Sequence, residues 1–345
     1  MRTGRFVIRL LSEVALSRVI QRPQAEESEG VARRLFCQGE ILGLRPQMLR
    51  YALNDTVPKH LFRWAFCILL TVGCLLSASA QSPWARSKAG FYAQAAYHAI
   101  PAYGTLFGKN GSDDIEMERE VSENTIQFYG EYGLNRKTTL VAALPLVFNR
   151  RGDINPASQL MFAQEDSGSI AGLGNVQLAV RHQFRAGKVA LAGTLRVGLP
   201  AAAGYEKNTH LRTGYAAFTV LPTVSAGMGL RRAYWFAYGG YGLRTNDYSH
   251  FLNVGAEAGW HFKKVWLIGF SELVFSLENG SRRLPTQDVL SGLYVNDQGY
   301  WSLGLKTIVE MGRFWGLTAS AAGAGWGQYV PKRPGLGLGA YFRWD

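Results

Sequence analysis

From residue 89 to the C-terminus the chain alternates apolar and polar residues in runs of roughly 9–14, each bounded by turn-forming residues. In the run from Asn175 to Phe184, Val176, Leu178, Val180 and Phe184 fall on one face, with Asn175, Gln177, Arg181 and Gln183 on the other. Residues 188–200 repeat the pattern: Val189, Leu191, Leu195, Val197 and Leu199 oppose Lys188, Thr194 and Arg196. Leu252 to Phe262 and Trp301 to Glu310 do so again. Side chains of a strand point alternately to its two faces, so each run reads as a strand with one apolar and one polar face. In order, the runs are 89–99, 122–134, 137–149, 172–185, 188–200, 213–229, 232–244, 249–262, 264–277, 298–311, 314–327 and 335–344, of which 232–244 alternates poorly.

An antiparallel sandwich would also alternate, and it is the competing architecture. Run length separates the two. Strands of soluble proteins have typically five or six residues, whereas tilted membrane strands need about 9–11. Trp and Tyr gather near run ends, at Tyr97, Tyr132, Trp260, Trp266, Trp301 and Trp344, where an interfacial girdle would lie. The connections alternate in length as well. Those after even-numbered runs are tight (135–136, 186–187, 230–231, 263 and 312–313), whereas most of the others are long, including 100–121, 150–171, 201–212 and 278–297. Short periplasmic turns and long external loops give this rhythm in outer-membrane barrels. The pattern therefore predicts an all-β chain, a transmembrane antiparallel up-and-down β-barrel of about twelve strands, with both ends of the barrel on the periplasmic side. The tight turns carry Arg136, Lys137, Arg185, Lys188, Arg231, Arg232, Lys263, Lys264 and Arg313 with no acidic residue among them. Cations of one sign suit an inner leaflet of anionic phospholipid. The final run, Gly335 to Trp344, alternates and ends on an aromatic, the form of terminal strand that the barrel-assembly machinery reads, although Asp345 follows it here.

Upstream, residues 59–81 read KHLFRWAFCILLTVGCLLSASAQ. A positive flank (Lys59, Arg63), an apolar run from Trp64 to Leu76 and the small-residue triplet Ala78-Ser79-Ala80 form the three parts of a secretory signal over residues 58–80. Cleavage is expected after Ala80, making Gln81 the first mature residue. The apolar run is too short to span a bilayer as a helix. A buried core helix, or a lipoprotein acylated at Cys74, are the alternatives; Thr71-Val72-Gly73 lacks the Leu usual three residues before such a cysteine. Residues 1–57 have mixed charge and no strand pattern, and would make a very long leader. We expect them to be a non-native or disordered extension, with the true start downstream of Met1 and Met48 the nearest later methionine. The domains expected are thus this extension, the leader, and a barrel over 81–345. Cys37, Cys67 and Cys74 all precede Gln81, so the mature part can hold neither a disulfide framework nor a thiolate metal site.

Composition adds little. Forty glycines and 43 aromatic residues fit strands that curve and pack closely. The net charge of +12 raises the question of nucleic acid, but it is not gathered into a basic stripe with interleaved aromatics, and no nucleic-acid partner is expected. Gly172-Leu-Gly174 with Asn175 is not a dinucleotide fingerprint, because no helix is expected after it. The histidines His98, His182, His250 and His261 sit in no compact hydrolase-like segment, so neither enzyme activity nor a cofactor is expected. The stretch Ser112 to Glu123 carries six acidic side chains against one Arg. Carboxylates suit hard cations, and calcium bridging to lipopolysaccharide is conceivable, but the spacing of a calcium loop is missing; a solvated external loop is the expectation.

The chemistry expected is that of the lumen. Alternation puts Glu131, Arg181, Arg196, Glu257, Glu272, Lys306, Glu310 and Arg343 on the polar, inward face. Opposed charges there could orient a permeating solute, or neutralise one another in a packed network; a barrel of about twelve strands lies between a filled interior and an aqueous channel. No metal site is expected. The partners implied are outer-membrane lipid and lipopolysaccharide, the assembly machinery and a small solute.

The middle of the chain resembles the barrel family of MetA-pathway phenol-degradation proteins, usually described as transporters. The shared pieces are Tyr132-Gly-Leu-Asn-Arg136 followed by Leu144-Pro145, then Gly172-Leu-Gly-Asn-Val-Gln-Leu178 with Phe184, then Gly198-Leu-Pro200. Asn175 stands where that family usually has aspartate. The resemblance spans about residues 122–262 and brings no catalytic residues. It implies a monomeric outer-membrane channel for passive diffusion of a small hydrophobic or aromatic solute. A closed structural or surface-interaction barrel is the alternative.

Overall fold

The computed structural model describes residues 81–111, 113–158, 165–202 and 204–344. The expected leader, with Ala78 and Ala80, and the extension before it lie outside the described residues. Thirteen strands form one antiparallel sheet: β1 (Phe91–Phe107), β2 (Asp114–Gly133), β3 (Thr138–Ile154), β4 (Gly168–Leu173), β5 (Val176–Arg185), β6 (Ala190–Leu199), β7 (Thr219–Gly229), β8 (Ala233–Arg244), β9 (Phe251–Phe262), β10 (Val265–Ser276), β11 (Gly299–Glu310), β12 (Trp315–Gln328) and β13 (Gly335–Trp344). β1 pairs with both β2 and β13, and β2 with β3, so the sheet closes on itself.

The closed wall has twelve staves, because β4 and β5 share one. β4 lies along Leu146–Arg151 of β3, and β5 continues the same line along Thr138–Ala143. The break falls at Gly174-Asn175. There the Asn175 side chain accepts from the Tyr215 backbone N–H at 2.6 Å and donates to the carbonyls of Tyr215 (2.8 Å) and Leu199 (3.2 Å). It thus satisfies backbone groups that the broken ladder leaves unpaired. Aspartate could accept but not donate, which gives the asparagine a physical reason.

All the tight turns lie at one rim, with the start of β1 and the end of β13. The β2–β3 turn is held by Asn135, whose Oδ1 accepts from the backbone N–H groups of Lys137 and Thr138, both at 2.9 Å. The β9–β10 turn places Lys263 at φ 56°, and the ladder beyond it runs unbroken from Phe262–Val265 to Phe251–Ser276. Outward residues of the staves are chiefly apolar and open. At the tight-turn rim Tyr132, Phe184, Trp260, Phe262, Trp315 and Trp344 are between 45% and 64% exposed; above them lie Leu178, Leu195, Leu305 and Leu338. The opposite face of the wall buries Thr139, Arg181, Thr194, Thr223, Ser225, Asn253 and Ser302. Apolar outside and polar inside inverts a soluble protein and matches a barrel solvated by lipid. Closure leaves the ring of full staves without an edge, and among the described residues β4 alone has a strand partner on one side only.

The other rim departs from expectation. Residues 100–121 are not a long loop: β1 and β2 run on as a paired hairpin to Phe107–Asp114. The acidic stretch therefore does not form a solvated loop but lies largely within β2. The reason is an alternation masked by charge. Ile115, Met117 and Val121 point one way and Asp114, Glu116, Glu118 and Glu120 the other. The apolar side meets Ile100, Tyr103, Leu106, Leu211 and Leu293 in a buried cluster that gathers three external segments. The acids are engaged locally: Lys332 Nζ lies 2.6 Å from Asp114 Oδ1, and Glu116 accepts from Thr105 at 3.0 Å. A single helical turn, α1 (Thr286–Val289), lies in the 277–298 connection.

The lumen as candidate functional site

The eight residues picked out by parity lie on inward faces, and the wall groups them by height. Near the tight-turn rim Glu131 is 8% exposed. Its Oε1 accepts from Tyr129 Oη at 2.6 Å and from Arg181 Nη2 at 3.1 Å, and its Oε2 from Arg86 Nε at 2.6 Å. Across the lumen Glu257 accepts from Tyr234 Oη (2.6 Å) and pairs with Lys306 Nζ (2.9 Å). Glu310 pairs with Arg343 Nη2 at 3.1 Å and meets His261 Nε2 at 3.5 Å, the imidazole stacked on Trp266 at 4.5 Å. Each lower carboxylate thus has a cation within contact. Groups so desolvated persist only when paired and hydrogen-bonded.

Arg86 comes from a segment to which the strand pattern assigns no place. Residues 81–88 turn back into the barrel before β1 begins. Gln81 is buried and donates from Nε2 to Asn253 Oδ1 at 3.0 Å; Ser82 Oγ accepts from Arg181 Nη1 at 3.1 Å. Trp84 sets its ring edge-on to Tyr234 (5.8 Å) and Phe236 (6.0 Å). Arg86 covers the Tyr92 ring at 4.9 Å, and its backbone N–H donates to Thr139 Oγ1 at 2.8 Å. At the rim the segment is pinned by Ala89 N–H to Gly133 O and Gly133 N–H to Gly90 O. Only glycine allows this at 133, since a Cβ there would lie 1.8 Å from Ser87 O. The sequence held one hint, two bulky residues (Trp84 and Arg86) in a stretch with no strand period. Nothing in it said that they face inward.

Two cavities occupy the remaining lumen. The lower, about 310 Å³, lies between the 81–88 segment and the wall, with Tyr92, Tyr129, Tyr234, Trp266 and Phe270 among its lining. The upper, about 360 Å³, is lined by Tyr215, Phe251, Tyr294 and Tyr300 and by Arg196, Glu272, Glu123 and Arg244. His98 and Gln127 line both. Glu272 accepts from Asn253 Nδ2 at 2.8 Å, and Glu123 from Tyr103 Oη at 2.8 Å. Parity missed Arg244 because its run packs aromatics on both faces: Tyr234, Phe236 and Tyr238 point in while Trp235 and Tyr241 point out. Among the described residues no group of three or more His, Cys, Asp or Glu could hold a metal ion.

No family model matches the chain, and no curated protein does. Solved structures match with high probability. The COG4313 outer membrane channel from Pseudomonas putida F1 aligns with a TM-score of 0.57 at 13% identity, over 78% of this chain and 100% of that one. The KdgM porin (TM-score 0.40, 5% identity, 73% and 99% covered) and the translocator domain of the autotransporter NalP from Neisseria meningitidis (0.43, 13%, 75% and 90%) follow at lower similarity. At such identities the likeness is one of fold. The closed twelve-stave wall and its apolar exterior, with the COG4313 alignment in the same fold, make this chain an outer-membrane β-barrel.

Proposed function

We propose that the barrel is a channel for passive diffusion of a small solute with hydrophobic or aromatic character. The observation that carries this reading is the pair of stacked cavities within the wall, which share His98 and Gln127 and set rings (Tyr92, Tyr129, Trp266 and Phe270 below, Phe251 and Tyr300 above) among polar, charged and aliphatic side chains. Rings set among fixed polar groups bind flat solutes by their faces and orient them by hydrogen bonds. The COG4313 protein of like fold is described as an outer membrane channel, which supports the same reading. Seven of the eight inward charges belong to it as the groups a solute passes, Arg181 being buried behind Glu131, and the outward band and C-terminal strand as contacts with lipid and with the assembly machinery. A second reading, a barrel closed at rest, is favoured by one observation: residues 81–88 occupy the lumen. Single-channel recording in a planar bilayer divides the two. Discrete steps that phenol or toluene blocks from one side support the channel. A correctly folded barrel that stays silent at all voltages overturns it in favour of the closed barrel.

A further inference from the structure

The charges of the two cavities are not arranged alike. In the lower lumen Glu131, Glu257 and Glu310 each have a cation at salt-bridge distance. In the upper cavity neither Arg196 nor Arg244 has a carboxylate within 4 Å among the described residues. Arg244 is instead clasped by rings, its guanidinium carbon 4.1 Å from the centroid of Tyr215 and 4.3 Å from that of Phe251. Its Nε is buried with no acceptor. Stacking holds a guanidinium by its flat faces and leaves its N–H edge directed along the ring plane, where a planar oxyanion can take two parallel hydrogen bonds. Of the acids in the same cavity, Glu123 accepts from the neutral donor Tyr103, and Glu272 accepts from Asn253 and Tyr238 while facing Arg196 without contacting it.

We infer that the upper cavity is a binding site for a carboxylate carried on an apolar or aromatic body, with Arg244 and Arg196 receiving the carboxylate and the rings of Phe251, Tyr294 and Tyr300 the body. Two cations without contacting counterions in a partly desolvated cavity favour an anion. Glu123 and Glu272 share that space and offset the two arginines overall, so the attraction is local to the guanidinium edges, and their repulsion disfavours a dianion such as phosphate. The cavity volume lies within the range of small-molecule sites, about 300–1,000 Å³. This deepens the channel reading and rests on it for the solute's passage, but the site itself can be tested apart.

The protein purified from outer membranes is placed in phosphatidylcholine nanodiscs and dialysed to equilibrium against radiolabelled 3-phenylpropionate, 3-phenylpropanamide or propionate. Binding of phenylpropionate at least tenfold tighter than either of the others is expected in the wild type. Arg244→Gln and Arg196→Gln should each lose tenfold or more for phenylpropionate and leave the amide unchanged, while Arg244→Lys retains part of the preference. The heat-dependent gel mobility of each variant shows whether the barrel is folded, and the lysine variant keeps the test decisive where glutamine disturbs it. Equal affinity for acid and amide, or folded variants that keep the wild-type preference, would overturn the site. Conductance is read on the same preparation: conduction without acid preference sinks the site and leaves the channel, whereas binding without conduction upholds the site and sinks the channel.

Discussion

At the scale of single residues, side-chain parity placed the inward charges, but it could not say which of them meet. Glu131 on β2 reaches Arg181 on β5, Glu257 on β9 reaches Lys306 on β11, and Glu310 on β11 reaches Arg343 on β13. In every case a third stave lies between the partners, so the pairing follows from tilt and curvature, which leave no periodic trace in the sequence. The pairs differ in burial, and that difference is measurable. Glu131→Gln removes the carboxylate from Arg181, which is 1% exposed, and from Arg86 at once. Stranding a buried cation costs about 3–5 kcal/mol. Arg343→Gln breaks a pair whose arginine side chain is 38% exposed, and water replaces much of what is lost, so the cost is at most about 1 kcal/mol. Urea unfolding from lipid vesicles, followed by tryptophan fluorescence, should separate the two variants clearly. Equal midpoints would mean that solvent reaches Glu131 in the membrane-embedded state.

At the scale of elements, eleven of the twelve staves were legible as runs of period two, and the seventh, 232–244, only by its length and turns. A wall with lipid on one side and a polar lumen on the other imposes that period except where aromatics fill both faces. What escaped were the places where another demand overrides the pattern. The fourth run is broken at Gly174-Asn175, where the Asn175 side chain replaces ladder bonds. The first two runs extend into the hairpin ending at Phe107 and Asp114, because acids on one face concealed the apolar residues on the other. Two substitutions test these assignments. Leu305→Arg sets a cation on the lipid side of β11, which costs about 2–4 kcal/mol near the bilayer midplane, although the neighbouring Lys306 sits charged on the inner side. A refolding yield into vesicles as high as the wild type's would show that the faces are assigned the wrong way round. Met117→Glu places an unpaired carboxylate among Leu106, Val121 and Leu293, all at most 1% exposed. It should loosen the external cap without unfolding the wall, read as faster proteolysis within residues 200–218 while heat-dependent gel mobility persists. Loss of both together would make the cap and the wall one cooperative unit.

At the scale of the whole molecule, wall and contents obey different rules, which explains why one was readable and the other not. The wall answers to lipid, a uniform solvent that acts on every outward position. The 81–88 segment answers to particular partners on distant strands: Asn253 for Gln81, the rings of Tyr234 and Phe236 for Trp84, and Glu131 for Arg86. These contacts also make the segment separable from the wall. Glu131 keeps Arg181 and Tyr129 when Arg86 is removed, so the double variant Trp84→Ala, Arg86→Ala should leave the barrel intact while withdrawing the ring wedge and the ion pair that seat the segment. The Arg86 pair lies at a partly exposed site, so its share is about 1–2 kcal/mol, and the wedge forfeits the packing of a large ring against two others. A segment held so lightly spends much of its time out of the lumen. Single-channel conductance of the variant should therefore rise several-fold over the wild type, or appear where the wild type is silent, with more frequent transitions between levels as the segment returns. A folded variant with wild-type conductance and no added transitions would mean that ions pass the barrel without crossing the space that residues 81–88 fill.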